Sequence, residues 1–171
     1  MSTPIRRGEF LVLTGLTLTG FNNLSRRGLL PFRTRLAGGR GWSAYTIEQA
    51  ILVAVADGLA GAGLAREVAR TAVVTLQESA RLGALVRSGN GFVGCATIGG
   101  LETAVTLEVA GDLAGVAGQV DRYLSRFRQA WIQAIVLFEI GDSLHRLRAR
   151  AANTDLAPLL EHEITRFGSR R

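Results

Sequence analysis

Apolar residues recur along this chain at two spacings, three to four in the first half and two over parts of the second. Phe10, Leu11 and Leu13 predict a short helix over about residues 8–14, closed by a break at Gly15-Leu16. A second helix is predicted over about 18–27, with Thr17 as its N-cap and Gly28 as the residue just past its end. Phe21 and Leu24 share one face of it, while Thr19, Asn22, Asn23, Arg26 and Arg27 occupy the rest, so one side packs and the other is free to touch a partner. Residues Pro31 to Trp42 form a Gly- and Arg-rich excursion whose Gly38-Gly39 suits a hairpin tip. Thr46 to Gln49 is a capping box, and the helix it opens runs to about Leu59 with Ile47, Ala50, Ile51, Ala54, Val55 and Gly58 on its inner stripe. Gly61 and Gly63 end it, and one long helix is predicted from about Leu64 to Arg87.

The pattern changes after residue 87. Phe92–Ile98 and Glu102–Val109 read as strands joined by a Gly99-Gly100 turn, with Thr103, Val105, Leu107 and Val109 on one face of the second. Val116, Val120, Tyr123, Leu124, Phe127 and Trp131 then recur at helical spacing, with Arg122, Arg126 and Arg128 outside the stripe. Trp131 to Ile140 is apolar enough for a buried third strand, and Asp142 to Ala152 reads as a closing helix carrying Arg146, Arg148 and Arg150. The expected fold class is α+β, with a mainly helical N-terminal unit over 1–87 and a small ββαβα unit over 88–171.

Composition narrows the class of function. With 47% hydrophobic residues in 171, the chain has material for one core or two small ones, which excludes a disordered or collagen-like protein. All 20 basic residues are Arg, the net charge is +6 and the pI is near 11.1. Residues 1–45 hold seven Arg against Glu9 alone, residues 46–120 carry a net −3, and residues 121–171 a net +3. Positive charge gathered at one end is an electrostatic footprint for phosphates, whereas the same charge spread evenly mainly favours solubility. The lone Cys95, with His145 and His162, rules out a disulfide framework and a local zinc cluster within one chain, and no cofactor is expected. Arg6-Arg7 before the apolar run from Phe10 imitates an export signal. Glu9, the lack of a small-residue cleavage site and the polar Phe21–Arg27 that follows argue against one. The apolar stretch from Ala50 to Ala65 is too short for a membrane span and is broken by Asp57, so no membrane partner and a cytoplasmic protein are expected.

Two helices joined by a tight turn, the second polar and basic outside, then an Arg-bearing hairpin and a third helix, make an arrangement suited to reading DNA. In such an arrangement the second helix can enter a major groove and the hairpin can sit on the flanking backbone. Asn pairs with an adenine edge through two hydrogen bonds, and Thr touches a thymine methyl or a phosphate, so Asn22, Asn23 and Thr19 are candidates for base readout. Arg26, Arg27, Arg33, Arg35 and Arg40 suit phosphate clamps, which give position and affinity more than sequence choice. Trp42 is expected to anchor the hairpin to the domain.

The segments Gly8–Thr17, Arg26–Pro31, Gly39–Thr46 and Gly58–Leu64 together resemble the winged helix-turn-helix domain of the MerR superfamily over roughly residues 8–70. The resemblance implies binding to operator DNA as a homodimer. It makes Thr17 to Arg27 the recognition element, Pro31 to Tyr45 the wing, and Tyr45 a phosphate contact beside the wing. Phe21–Ser25 departs from the family's usual Arg- and Tyr-bearing stretch, so those backbone contacts do not transfer, and the match drifts toward excisionase-like and phage-regulator branches.

A two-fold operator needs a two-fold protein. Val68, Ala72, Leu76, Ala80 and Gly83 lie at spacings that suit packing of the 64–87 helix against its own copy, with packing inside the chain as the alternative. The C-terminal unit is read as a dimerisation domain, with a small-molecule or protein effector as the other role open to it. Gly89–Gly94 matches G-x-G-x-x-G with Asp112 downstream, but a helix precedes it and a strand follows, the reverse of a dinucleotide site, so a turn is expected. Glu161-His162-Glu163 reads as part of a solvated terminal helix. The reading is a transcriptional regulator rather than an enzyme. A DNA-architectural or recombination accessory factor and a protein-interaction module with a basic face are its rivals.

Overall fold

The structure, a computed structural model, describes residues 4–32, 44–101, 103–127 and 129–169. The chain opens with a short strand β1 (Pro4–Ile5), helices α1 (Arg7–Thr14) and α2 (Leu18–Arg26), and a strand β2 (Tyr45–Thr46) that pairs antiparallel with β1. The helices α3 (Ile47–Gly61), α4 (Arg66–Glu78) and α5 (Arg81–Ser88) follow. The second half runs β3 (Phe92–Gly99), β4 (Val105–Gly111), α6 (Leu113–Leu124), β5 (Trp131–Glu139), α7 (Ile140–Ala151) and α8 (Leu156–Arg166). The fold is α+β.

Local chemistry explains most boundaries. Thr46 Oγ1 accepts from Gln49 N while the Gln49 side chain accepts from Thr46 N, so α3 begins with a reciprocal pair of hydrogen bonds that satisfies two otherwise orphaned donors. At α6 the bond runs one way: the Asp112 carboxylate accepts from Gly115 N. The long helix expected over 64–87 is instead two helices: Ala80 sits at φ +59°, in the left-handed region where a Cβ is strained, and the chain turns there. No Gly or Pro marks that break, which is why helical spacing alone reads straight through it.

The three long strands form an antiparallel sheet in the order β4-β3-β5, with Val93 opposite both Ala110 and Phe138. Helices pack on both faces of the sheet. On one, Ala96, Ile98 and Val109 pack with Val116 and Val120 of α6, flanked by Leu107 and Leu137. On the other, Val93, Cys95 and Ala110 join the helical core built from α1, α3, α4, α5, α7 and α8. Phe138 of β5 lies so close to α3 that any Cβ at position 58 would meet its ring, and Gly58 makes that approach possible.

The larger core runs without interruption from Ile5 to Phe167. The boundary expected at 87/88 is therefore a change of sequence pattern across which packing is continuous. Ala72, Leu76 and Gly83, proposed from spacing as a dimer seam, are buried inside this core, and Gly83 faces the backbone of Phe167 and Gly168. The second half also carries one helix more than ββαβα. That extra helix, α8, is not a solvated terminal element: it sends Leu156, Leu160 and Ile164 inward, and Glu163 is only 5% exposed. β5 is a strand as expected but not a buried one. It occupies a sheet edge, and Trp131, Ile132 and Ile135 remain 58%, 46% and 45% exposed. An apolar run cannot by itself distinguish a central strand from an uncovered edge.

Candidate nucleic-acid interface

The α1–α2 pair is held from within by rings. Phe10 of α1 is fully buried, with its ring 5.8 Å edge-on from Phe21 of α2, 6.0 Å from Phe32 and 4.7 Å from Tyr45. Tyr45 in turn meets Phe21 edge-on at 5.5 Å. Edge-to-face contacts set the positive ring edge against the negative face and fix orientation as well as distance. The β1–β2 pairing, Ile5 opposite Tyr45, delivers the tyrosine to this cluster. Its ring is a core element at 7% exposure, so the phosphate contact that the resemblance implied for Tyr45 gives way to a packing role.

The turn between the helices is fixed from both ends. Gly15 takes φ +69°, and its N–H donates to Leu11 O at 2.8 Å, closing α1 with the left-handed cap that glycine adopts without strain. Thr17 Oγ1 accepts from Gly20 N at 3.0 Å and opens α2, as the sequence predicts. The last carbonyls of α1 find a partner far away in sequence: Arg150 of α7 donates to Leu13 O at 3.2 Å and to Thr14 O at 2.7 Å. A guanidinium at a helix C-terminus satisfies orphaned carbonyls and complements the negative end of the dipole. The C-terminal half thus braces the turn that sets the angle of α2.

On the outer face of α2, Thr19, Asn23 and Arg26 are exposed, and none has a side-chain hydrogen-bond partner among the described residues. Spaced at i, i+4 and i+7, they form one strip along the helix. The other predicted contacts are partly engaged. Asn22 is half-buried and accepts from the Arg7 guanidinium, which also lies 5.1 Å from the centre of the Phe21 ring. Arg27 pairs with Glu67 of α4 at 3.0 Å, an exposed contact that water and salt weaken. Arg33, Arg35, Arg40 and Trp42 fall outside the described residues, as does the hairpin tip at Gly38-Gly39.

The structure adds two features that spacing did not reveal. Arg7, exposed at the start of α1 beside exposed Arg6, joins the basic surface of α2, brought there by Asn22, fifteen positions away. In sequence they stood out only as the imitation of an export signal. Leu18, the first residue of α2, is 52% exposed beside Thr19 and presents methyl groups at the end of the helix nearest the turn.

Burial, with a smaller contribution from neighbouring Glu108, pushes the Cys95 thiol up to about 11, so it stays protonated near neutral pH. Gly89 and Gly91 both take positive φ between α5 and β3, which makes the glycine-rich segment a turn. Among the described residues no three His, Cys, Asp or Glu side chains are grouped to hold a metal ion, and no helix is long and apolar enough to cross a membrane. No family model matches the chain, and no curated protein matches it.

Proposed function

We propose that this protein is a sequence-specific double-stranded DNA-binding transcriptional regulator, cytoplasmic and associated with the nucleoid, that acts as a homodimer and not as an enzyme. α2 enters the major groove, and the Arg-rich segment 31–45 lies as a wing on the flanking backbone. The observation that carries this reading is the strip Thr19–Asn23–Arg26, which is exposed, free of acidic residues and set on a helix whose angle is fixed by the aromatic cluster and by Arg150. An α-helix with its side chains is about 10–12 Å across, which matches a major groove about 12 Å wide. Leu18 adds apolar contact suited to a thymine methyl. Arg6, Arg7 and Arg26, with Arg33, Arg35 and Arg40 of the wing, supply phosphate neutralisation.

The roles divide by test. Asn23→Ala is expected to relax preference at one base pair by about 1–3 kcal/mol, with little change on random duplex. Arg26→Ala should weaken every sequence alike and lower the salt slope by about one phosphate contact. Binding isotherms on matched and scrambled duplexes over a salt series separate the two. Equal losses on both duplexes from Asn23→Ala would defeat its assignment as a base reader. Asn22→Ala should cost less specificity than Asn23→Ala, because Arg7 already occupies the Asn22 carbonyl.

A further inference from the structure

Along the outer side of β5, the edge strand of the sheet, backbone N–H and C=O groups have no ladder partner among the described residues. Such edges are normally blunted by charge, proline, shortness or a bulge. β5 is nine residues long and carries no charge, proline or glycine from Trp131 to Phe138. Its one irregularity is a bulge: Thr97 faces Ala134 and Ile98 faces Ile132, which leaves Gln133 as the extra residue. Three large apolar side chains, Trp131, Ile132 and Ile135, are about half exposed on it.

We propose that a second copy of this chain pairs antiparallel along β5, about a two-fold axis near Ile135, so that the two three-stranded sheets become one of six strands. Three observations select a second copy. Ala72, Leu76 and Gly83 of the seam that spacing suggested on α4 and α5 are buried within the chain, so they are not available to another copy. A chain with net charge +6 repels its own copy, and β5 is an exposed stretch where two copies meet without opposing charges. The flanks of the strand are self-complementary as well. Exposed Arg126 lies in the tight connection just before β5, whereas exposed Glu139 and Asp142 lie at its end and just beyond. A two-fold at Ile135 carries position 139 to face position 131 and moves Asp142 toward the Arg126 end of the other copy. Antiparallel pairing therefore brings the Glu139 end of each copy toward the Arg126 end of the other, while parallel pairing would bring like toward like.

The inference deepens the homodimeric part of the DNA-binding reading and rests on that part alone. It is tested without DNA, so a protein that binds no DNA leaves it standing. Sedimentation velocity of the full chain over a concentration series is expected to show a monomer–dimer equilibrium. Ile135→Lys should raise the dimer Kd by at least about tenfold, with the far-UV spectrum unchanged and the melting temperature unchanged at concentrations where both proteins are monomeric. Arg126→Glu and Glu139→Arg, both on exposed residues, should each weaken self-association, while an equimolar mixture of the two restores it, because the mixed pair regains opposite charges at both ends. A monomer at every concentration overturns the proposal, as does a dimer indifferent to Ile135→Lys or a mixture that associates no better than its components.

Discussion

Phe10→Ala is expected to lower the free energy of unfolding by about 3–5 kcal/mol, the range for deleting a fully buried phenylalanine whose cavity the surroundings cannot fill. Phe10 is the hub of the ring cluster: it touches Phe21, Phe32 and Tyr45, while those rings contact one another only in part. Its loss therefore releases α2 and β2 from α1 together. DNA affinity should fall with it, because the angle of α2 depends on the same rings. Urea unfolding followed by circular dichroism measures the change, and a fall in midpoint at constant slope identifies it as stability. Phe10→Leu keeps much of the volume and should cost well under half as much. A loss below about 1 kcal/mol for Phe10→Ala would mean that the rings do not hold the helix pair.

Gly94→Ala is expected to be the most damaging single-methyl addition in the sheet. Gly94 lies in the central strand between Val109 and Leu137, and a Cβ there would press into the backbone carbonyl of Val136. A flexible side chain can swing away from such a contact; a carbonyl in a strand ladder cannot. The β3–β5 pairing must open to admit the methyl, at about 3 kcal/mol or more, the upper range for overpacking. Gly118→Ala is the control. It lies in α6 with nothing within 4 Å of the added carbon, so helix propensity should make it neutral or stabilising by up to about 1 kcal/mol. Thermal melts of the two variants side by side check the pair, and equal losses would show that the clash at Gly94 is relieved by a movement this packing does not provide.

The sequence was informative where local chemistry decides the outcome. Thr17 and Thr46 cap the helices they precede, Gly15 and Gly28 take the left-handed conformation past helix ends, and the inner stripe Ile47, Ala50, Ile51, Ala54, Val55 and Gly58 is buried as its spacing requires. It was silent where distant contacts decide. Ala80 turns the chain with a residue that favours helix, because Leu76 on one side and Leu82 on the other are both drawn into the core. Arg150 is one of several arginines on α7 until folding places it against Leu13 and Thr14, well over a hundred positions earlier. Burial of Glu163 and exposure of Ile135 both run against residue type, and each depends on which neighbours the fold supplies.

The same distinction applies to the candidate site. The polar face of α2 was legible, since Thr19, Asn23 and Arg26 need only a helix to line up. Which members of that face are free was not, because Arg7 engages Asn22 and Glu67 engages Arg27 through tertiary contacts. The core is continuous: α7 braces the helix turn and β3 packs on the helices that carry α1, so the C-terminal half is packed against the elements that hold α2.

The most direct test of DNA reading is selection of bound sequences from a random duplex pool by the full chain, with competitor DNA and at near-physiological salt, so that arginine–phosphate attraction alone is not enriched. The account predicts an enriched site with two-fold symmetry whose half-sites lose definition at one position in Asn23→Ala. Binding without enrichment, falling away as salt rises, would contradict it and leave only a basic surface.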